Sequence, residues 1–355
     1  MSGLVKNIVT HLAFYLKIWK LCFCVCRLRT RQKLLVVFTF HRITDTESSR
    51  RHYLNYDRGL DDRVFETQLG RLCKYFKVID LDEFLAVISG EKQLREHSAL
   101  LTFDDGDSDF VKYALPVLRR HGCPSVMFVP TAFVDTDRHF WHLRVSNSLH
   151  NMGPDGWSAL QGDIDGFPER VREIVRHSSL SSEKEKRRTC QQLVDTLDSL
   201  DCDTINGVIS ALERHDGGEY TLGIRCMGWA ELRALLAEGV RIQSHGVSHR
   251  KLTQLSAREA ERELVDSKTE LETRLGRSIE TVCYPANSFD GDMVGLVVNA
   301  GYRAGFTGRP GTCRYPMDAA GRCQIPRLSI WGANKFDVDL YLGKIAIQRI
   351  LHRLS

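Results

Sequence analysis

Short apolar runs alternate with amphipathic stretches along most of this chain. Leu34-Leu35-Val36-Val37-Phe38-Thr39-Phe40 reads as a buried strand that delivers His41 and Arg42 at its exit. Over 62–76, Val64, Phe65, Leu69, Leu72 and Phe76 recur at helical spacing, with Asp61 or Asp62 as the cap. A short strand over 76–79 and a helix over 81–88, ended by Ser89-Gly90, come next. The run Ala99-Leu100-Leu101 reads as a strand, followed by a helix near 108–121 that stops at His121-Gly122. Ser125 to Val129 is another buried strand. A helix over 229–238, ended by Gly239, feeds the strand Val240-Arg241-Ile242. A charged helix over 256–275, closed by Gly276, precedes strands at 279–284 and 302–306 with a helix between them. Strands alternating with helices predict a parallel sheet or barrel.

Residues 135–222 break this rhythm. They are polar, carry the charged run Glu183-Lys184-Glu185-Lys186-Arg187-Arg188, and offer helix-like pieces without clear strands. Because βα alternation returns afterwards, they are expected to form a helical insertion on the barrel rim rather than a separate domain. The predicted organisation is an arm over 1–33 and a barrel over 34–355 that carries this insertion.

Charge changes the picture at the N-terminus. The 355 residues, 43% of them apolar, carry a formal net charge of +4. Lys6, Lys17, Lys20, Arg27, Arg29, Arg31 and Lys33 all fall in residues 1–33, which hold no acid, leaving 42 basic against 45 acidic residues elsewhere. The body is therefore not a polyanion binder, and no nucleic-acid partner is expected. On a helical projection Val5, Ile8, Val9, Leu12, Tyr15, Leu16 and Trp19 share a broad face, although Phe14, Ile18 and Leu21 spoil the polar side. Either the arm lies on an anionic membrane surface or it packs on the body or a partner subunit. Its lysines keep every uncharged run short of the ~18–20 residues that span a bilayer. They also make a secretory signal a poor fit. The eleven cysteines are scattered, apart from Cys22, Cys24 and Cys26, and suggest reduced, mostly buried thiols. The expected location is the cytoplasm, at the inner face of the membrane if the arm binds lipid. No internal repeat, P-loop or nucleotide-binding glycine pattern is present.

Two segments carry candidate chemistry: Thr102-Phe103-Asp104-Asp105-Gly106 and Gln243-Ser244-His245-Gly246-Val247-Ser248-His249. Adjacent carboxylates at the end of a strand point in different directions, so one can bind a metal while the other faces water or substrate. Two imidazoles and one carboxylate give three ligands and an open position, the pattern of a catalytic zinc site. Alone, Asp-Asp-Gly is usually a turn and His-x-x-x-His usually a helix face. Each motif here ends a strand-like run, which is how α/β barrels assemble active sites. The pair points to a metal-dependent hydrolase.

Together these motifs resemble the polysaccharide deacetylases, the carbohydrate esterase group with a NodB-type domain. The resemblance covers about residues 34–335 and includes Phe40-His41-Arg42, Trp229 to Gly239, Gly301 to Thr307 and Ile325-Pro326-Arg327. It implies an α/β fold, a distorted (β/α)-barrel, that removes an acetyl group from an N-acetylated sugar. Carried across, Asp104 is the general base and Asp105, His245 and His249 are the metal ligands. Zn2+ suits two nitrogens and one oxygen, and Co2+, Ni2+ and Mn2+ are alternatives.

Two family features are missing. Cys283-Tyr284-Pro285-Ala286 stands where an Arg-x-Pro-Tyr core is expected, so the arginine that orients the base is gone; the backbone N–H of Ala286 still fits an oxyanion donor. The late Leu-x-x-His motif, with its general acid, is replaced by Ile325-Pro326-Arg327-Leu328. Some exopolysaccharide-type members look circularly permuted, and His41 fits the slot that histidine occupies in them. It either protonates the leaving amine or stabilises the tetrahedral intermediate, or is merely a buried hydrogen-bonded histidine. Arg327 is either a substitute for the orienting arginine or a surface salt bridge, and Arg42 is a weaker candidate. Trp141 either stacks on a sugar at the rim or anchors the insertion. His139 and His142 lack a third ligand and define no second metal site. The leading function is an N-deacetylase acting on a polysaccharide, lipid-linked glycan or glycoconjugate. The alternatives are deformylation or deacylation of another small amide, and a degenerate member that binds glycan without turnover.

Overall fold

The computed structural model describes residues 33–47, 59–218, 223–330, 341 and 343. The basic arm, apart from Lys33, and the cysteine cluster at 22–26 lie outside the described residues. The first strand is β1 (Leu35–Phe40), followed by β2 (Ile43–Thr44) and β3 (Leu60–Asp61). Next come α1 (Asp62–Tyr75), β4 (Lys77–Val78), α2 (Leu81–Ser89), β5 (Ser98–Phe103), α3 (Leu115–His121) and β6 (Ser125–Val129). Five helices follow without a strand between them: α4 (Trp141–Asn151), α5 (Pro154–Gln161), α6 (Glu169–His177), α7 (Glu183–Leu197) and α8 (Cys202–His215). The βα rhythm then resumes with α9 (Trp229–Ala237), β7 (Val240–Ser244), α10 (Ala257–Leu275), β8 (Thr281–Cys283) and α11 (Gly291–Asn299). The last described elements are β9 (Ala304–Phe306), α12 (Ala319–Arg322) and β10 (Leu328–Ser329).

The predicted caps explain where these helices begin and end. Asp61 accepts the backbone N–H groups of Arg63 and Val64 to start α1. Gly90, Gly122 and Gly276 adopt left-handed conformations that close α2, α3 and α10. The segment expected as a single helix over 108–121 instead opens with a wider π-helical turn at Phe110–Ala114 before α3. The strands expected over 279–284 and 302–306 are three residues each.

The strands form a parallel eight-stranded sheet in the order β10-β1-β5-β6-β7-β8-β9, with β4 also paired to β5. The segment before β10 joins its two edges. Ile325 donates to the Gly305 carbonyl of β9, whereas Leu328 aligns with Phe38 of β1. The sheet thereby curls into the expected distorted (β/α)-barrel. The β2–β3 pair and β10 were not anticipated, because two-residue strands carry no periodicity to read.

Side chains alternate across this sheet with the strand period. Val36, Phe38, Phe40, Ala99, Leu101 and Phe103 face outward into a cluster with Phe65, Leu69 and Leu72 of α1, and Ile242 and Val282 join the same outer layer with Leu232 of α9 and Leu264 of α10. Leu35, Val37, Leu100, Val126, Phe128, Cys283, Ala304 and Phe306 face inward and pack with Leu81 and Phe84 of α2. Each such fully buried large apolar side chain contributes roughly 1.5–3 kcal/mol. The five helices over 141–215 bury a second cluster that includes Leu149, Trp157, Val171, Leu193 and Ile209.

Candidate active site

The inward parity continues past the strand ends. Extending β1 by its alternation brings Thr39 and then His41 inside, and β5 likewise presents Thr102 and Asp104. The Asp104 amide donates to the Phe40 carbonyl at 3.1 Å, which carries the β1–β5 pairing as far as the carboxylate. By the same alternation β7 delivers Gln243 and His245, β8 delivers Cys283, and the entry to β10 delivers Arg327. These residues converge at the C-terminal end of the barrel, where parallel strands assemble sites.

Asp105 belongs to the opposite parity. A left-handed backbone at Asp105 (φ 75°) and Gly106 (φ 68°) re-aims it into the cleft. Gly106 is required there, since a Cβ would lie 3.1 Å from Cys226 Sγ and 3.3 Å from Val129. The two carboxylates therefore diverge because of this turn rather than, as expected, because of strand alternation. His245 and His249 leave β7 in a loop, not on a helix, and His249 is also left-handed (φ 57°). Strained backbone of this kind collects at functional sites. Ala286 and Asn287, at the cleft wall, share the conformation.

Asp105, His245 and His249 come together as the sequence suggests. The two Nε2 atoms lie 3.6 and 3.4 Å from Asp105 Oδ1. His245 Nδ1 is 2.8 Å from the Cys283 carbonyl. A carbonyl only accepts, so Nδ1 carries a proton, and Nε2 is the ring atom aimed at Asp105. Burial alone would raise the Asp105 carboxyl, but hydrogen bonds from His245 and His249 pull it well below the ordinary range. The His249 loop is held from two sides. Phe140, just before α4, packs edge-on against its ring at 4.8 Å. Glu263 of α10 accepts the N–H groups of Val247 and Ser248 at 2.7 and 2.8 Å, and the Ser248 hydroxyl as well.

Asp104 has a different partner. Arg327 is buried and grips both carboxylate oxygens, Nη1 to Oδ1 at 2.8 Å and Nη2 to Oδ2 at 2.7 Å. Its remaining contacts are Thr39 Oγ1, Thr102 Oγ1, the Thr307 carbonyl and Cys283 Sγ, so no part of the guanidinium is left unpaired. The surface salt bridge weighed from the sequence is therefore replaced by a buried bidentate pair. Burial would raise the Asp104 carboxyl, but the Arg327 charge and hydrogen bonds hold it below the ordinary value. It is ionised at neutral pH.

His41 Nε2 stands 3.8 Å from Asp104 Oδ2, with 26% of the side chain open to the cleft. Desolvation lowers its pKa despite the neighbouring carboxylates, so the imidazole is neutral at pH 7. Arg42 also lines the cleft and pairs with Asp109 at 2.6 Å and Asp107 at 3.4 Å, bracing the chain beyond the Asp pair. Burial pushes the Asp107 carboxyl up to about 7.

Among the described residues, two donor sets lie within metal-binding reach: Asp105, His245 and His249, and Asp104, His245 and Cys283. The second does not fit a cation. Both Asp104 oxygens are taken by Arg327, whose Nη2 also lies 3.0 Å from Cys283 Sγ, and the buried thiol is held protonated. The first set fits: two oriented imidazoles and one ionised carboxylate open onto the cleft. Among the described residues, His139 and His142 belong to no metal-capable group.

His41, Asp104, Asp105, His245, His249, Arg327, Ala286 and Trp141 all line one cleft of about 1370 Å³ between the barrel mouth and the helices over 141–215. Trp141 opens α4, facing this cleft while also packing on the helical cluster, so both of its anticipated roles are compatible with its position. Sequence reasoning missed Cys283, Glu263 and Phe140. Strand parity identifies Cys283; Glu263 and Phe140 act across sequence distances that no local pattern encodes.

A family model described as polysaccharide deacetylase matches residues 91–305. Among solved structures, IcaB from Ammonifex degensii superposes with a TM-score of 0.56 at 17% identity, covering 88% of this chain and 98% of that one. The Streptococcus pyogenes deacetylase PplD, in complex with acetate, gives 0.54 at 14% identity over 88% and 98%. A de-N-acetylase from Aggregatibacter actinomycetemcomitans gives 0.52 at 13% identity over 86% and 99%. At these identities the likeness establishes the fold. No curated protein matches the chain.

Proposed function

The chain belongs to the polysaccharide deacetylase family, and from that premise we propose that it is a metal-dependent hydrolase. Its substrate is an N-acetylated sugar of a polysaccharide, lipid-linked glycan or glycoconjugate. The observation that carries this reading is the division of labour between the two aspartates. Asp105 faces two imidazoles, while Asp104 is kept ionised by Arg327 and outside that donor set.

Asp105, His245 and His249 would hold the cation, with Zn2+ the best match to their chemistry. A divalent cation there supplies Lewis acidity, polarising the amide carbonyl and lowering the pKa of water. Asp104 accepts the proton of the attacking water, a role that needs the ionised carboxylate Arg327 maintains. Arg327 is a positioning residue, because its guanidinium faces Asp104 rather than the cleft centre. The Ala286 N–H is assigned to the oxyanion that develops on the acetyl carbon. His41, neutral before reaction, serves the leaving nitrogen. It takes up the proton as Asp104 yields it and releases it to the amine, which leaves both groups as they began.

The cleft exceeds the roughly 300–1,000 Å³ of sites built for small ligands, which favours more than one sugar ring, with Trp141 as a stacking surface. The buried Arg327–Asp104 pair speaks against a degenerate glycan binder, since the lost orienting arginine has a substitute. Acetate release from a panel of N-acetylated glycans, with and without chelator, tests the function. Chelator-sensitive release that Asp104→Asn abolishes supports it. Release of formate or a longer acyl group alone would favour the other amide hydrolases. Tight glycan binding without any release would favour the non-catalytic reading.

A further inference from the structure

Away from the cleft, two thiols face each other. Cys73, in the last turn of α1, is exposed, and Cys123, in the link between α3 and β6, is half-buried. Their sulfurs are 3.5 Å apart. The link enters the N-terminal end of β6, whereas the catalytic candidates follow C-terminal strand ends, and neither cysteine lines the cleft.

The surrounding contacts hold the pair in register. The left-handed turn at Gly122 ends α3, and the Cys123 amide donates to the Leu118 carbonyl at 3.0 Å. Arg120 of α3 pairs with Glu66 of α1 at 3.0 Å, and the His121 ring lies over Gly70 of α1. Two helices are thus fixed against one another on either side of the thiols. A disulfide needs sulfurs at about 2.05 Å, a closure of roughly 1.5 Å that rotation of exposed Cys73 can supply.

We propose that Cys73 and Cys123 form a reversible oxidation site that takes a soluble low-molecular-weight disulfide as its oxidant. The Cys73 thiolate attacks the small disulfide, breaking its S–S bond and releasing one small thiol. The Cys123 thiolate then attacks the Cys73 sulfur of the mixed disulfide and releases the second. One S–S bond forms in the protein as one breaks in the oxidant, and the two protons lost by the cysteines end on the two released thiols. The hydrogen bond from Cys123 holds the Cys73 thiol below its ordinary pKa, consistent with Cys73 as the attacking group. The new bond would close the chain over 73–123, which contains β4, α2, β5 and the Asp104–Asp105 turn. It constrains the unfolded state without reaching the cleft.

The full-length protein is equilibrated across a series of glutathione/glutathione disulfide ratios, alkylated, digested without reductant and read by mass spectrometry. A linked Cys73–Cys123 peptide is expected, forming at a more reducing ratio than any other pair and lost on adding dithiothreitol. Oxidation is expected to raise the melting temperature of the wild type by at least a few degrees but not that of Cys73→Ser. Acetate release by Cys73→Ser is expected to equal that of the reduced wild type. Cys123→Ser is expected to trap Cys73 as a glutathione adduct. Recovery of Cys73 fully alkylated under the most oxidising ratio, or linked to a different cysteine, would overturn the site.

Discussion

Asp104 and Asp105 differ in duty because of what surrounds each carboxyl, and their variants are expected to fail differently. His249→Ala removes a donor and leaves Asp105 with one imidazole, so bound metal and nearly all activity are expected to be lost while the fold persists. Asp104→Asn keeps all three donors. It is expected to retain metal, measured by elemental analysis, yet to lose roughly 10²–10⁴-fold in kcat. Retention of stoichiometric metal by His249→Ala would rule out the site, and loss of metal from Asp104→Asn but not from Asp105→Asn would reverse the roles of the two aspartates. Arg327 sets a pH prediction. Because it holds the Asp104 carboxyl below its ordinary pKa, the acid limb of kcat/KM that reports the base is expected on the acid side of an ordinary aspartate. In Arg327→Gln the opposing charge is gone and burial dominates, so the Asp104 pKa rises and that limb moves to higher pH. An unchanged limb would show that Asp104 is not the titrating base. The sequence exposed the residues of both motifs because the chemistry requires those residue types. It could not assign Arg327, since a lone arginine after a proline looks the same whether it is buried on a carboxylate or solvated.

Between the residues and the barrel lies a set of short elements that aim them. The strand before Asp104 is legible in sequence because six consecutive residues of β5 are buried on both sides, the signature of a parallel strand. By contrast, β10 has two residues, yet the segment leading into it joins both edges of the sheet and brings Arg327 inside. Its pairing is set by the barrel's closure, which no local window contains. The His245–His249 loop depends on α10 in the same way. Glu263 neutralises two otherwise unpaired amides in a turn that must stay left-handed at His249, and Gly246 gives it room, since a Cβ there would lie 3.1 Å from its carboxylate. Glu263→Gln keeps one acceptor oxygen and loses the charge. It is expected to weaken metal affinity about 10–100-fold, as loss of an outer hydrogen-bonding partner usually does. Chelator competition measures this directly. An unaltered affinity would mean the loop holds its shape without α10.

For the molecule as a whole, charge is segregated, and the arm is the part that composition alone marks as different. Seven basic residues and no acids precede residue 34, while the rest of the chain is slightly acidic. No helix among the described residues is long and apolar enough to cross a membrane. We propose that the arm holds the enzyme reversibly on an anionic membrane surface, which would bring the cleft to a lipid-linked glycan. Each basic residue near such a surface contributes on the order of 1 kcal/mol, screened by salt. Leu12, Leu16 and Trp19 would supply apolar contact that salt does not screen. Full-length protein is therefore expected to sediment with anionic vesicles at low salt and to release partly, not wholly, at high salt. Deleting 1–33 is expected to abolish sedimentation while leaving turnover of a soluble N-acetylated oligosaccharide unchanged. If the full-length protein stays in the supernatant at low salt, the membrane reading fails. Should deletion instead lower turnover of the soluble substrate, the arm is a packing helix for the barrel or a partner subunit, and its basic face must have a protein counterpart.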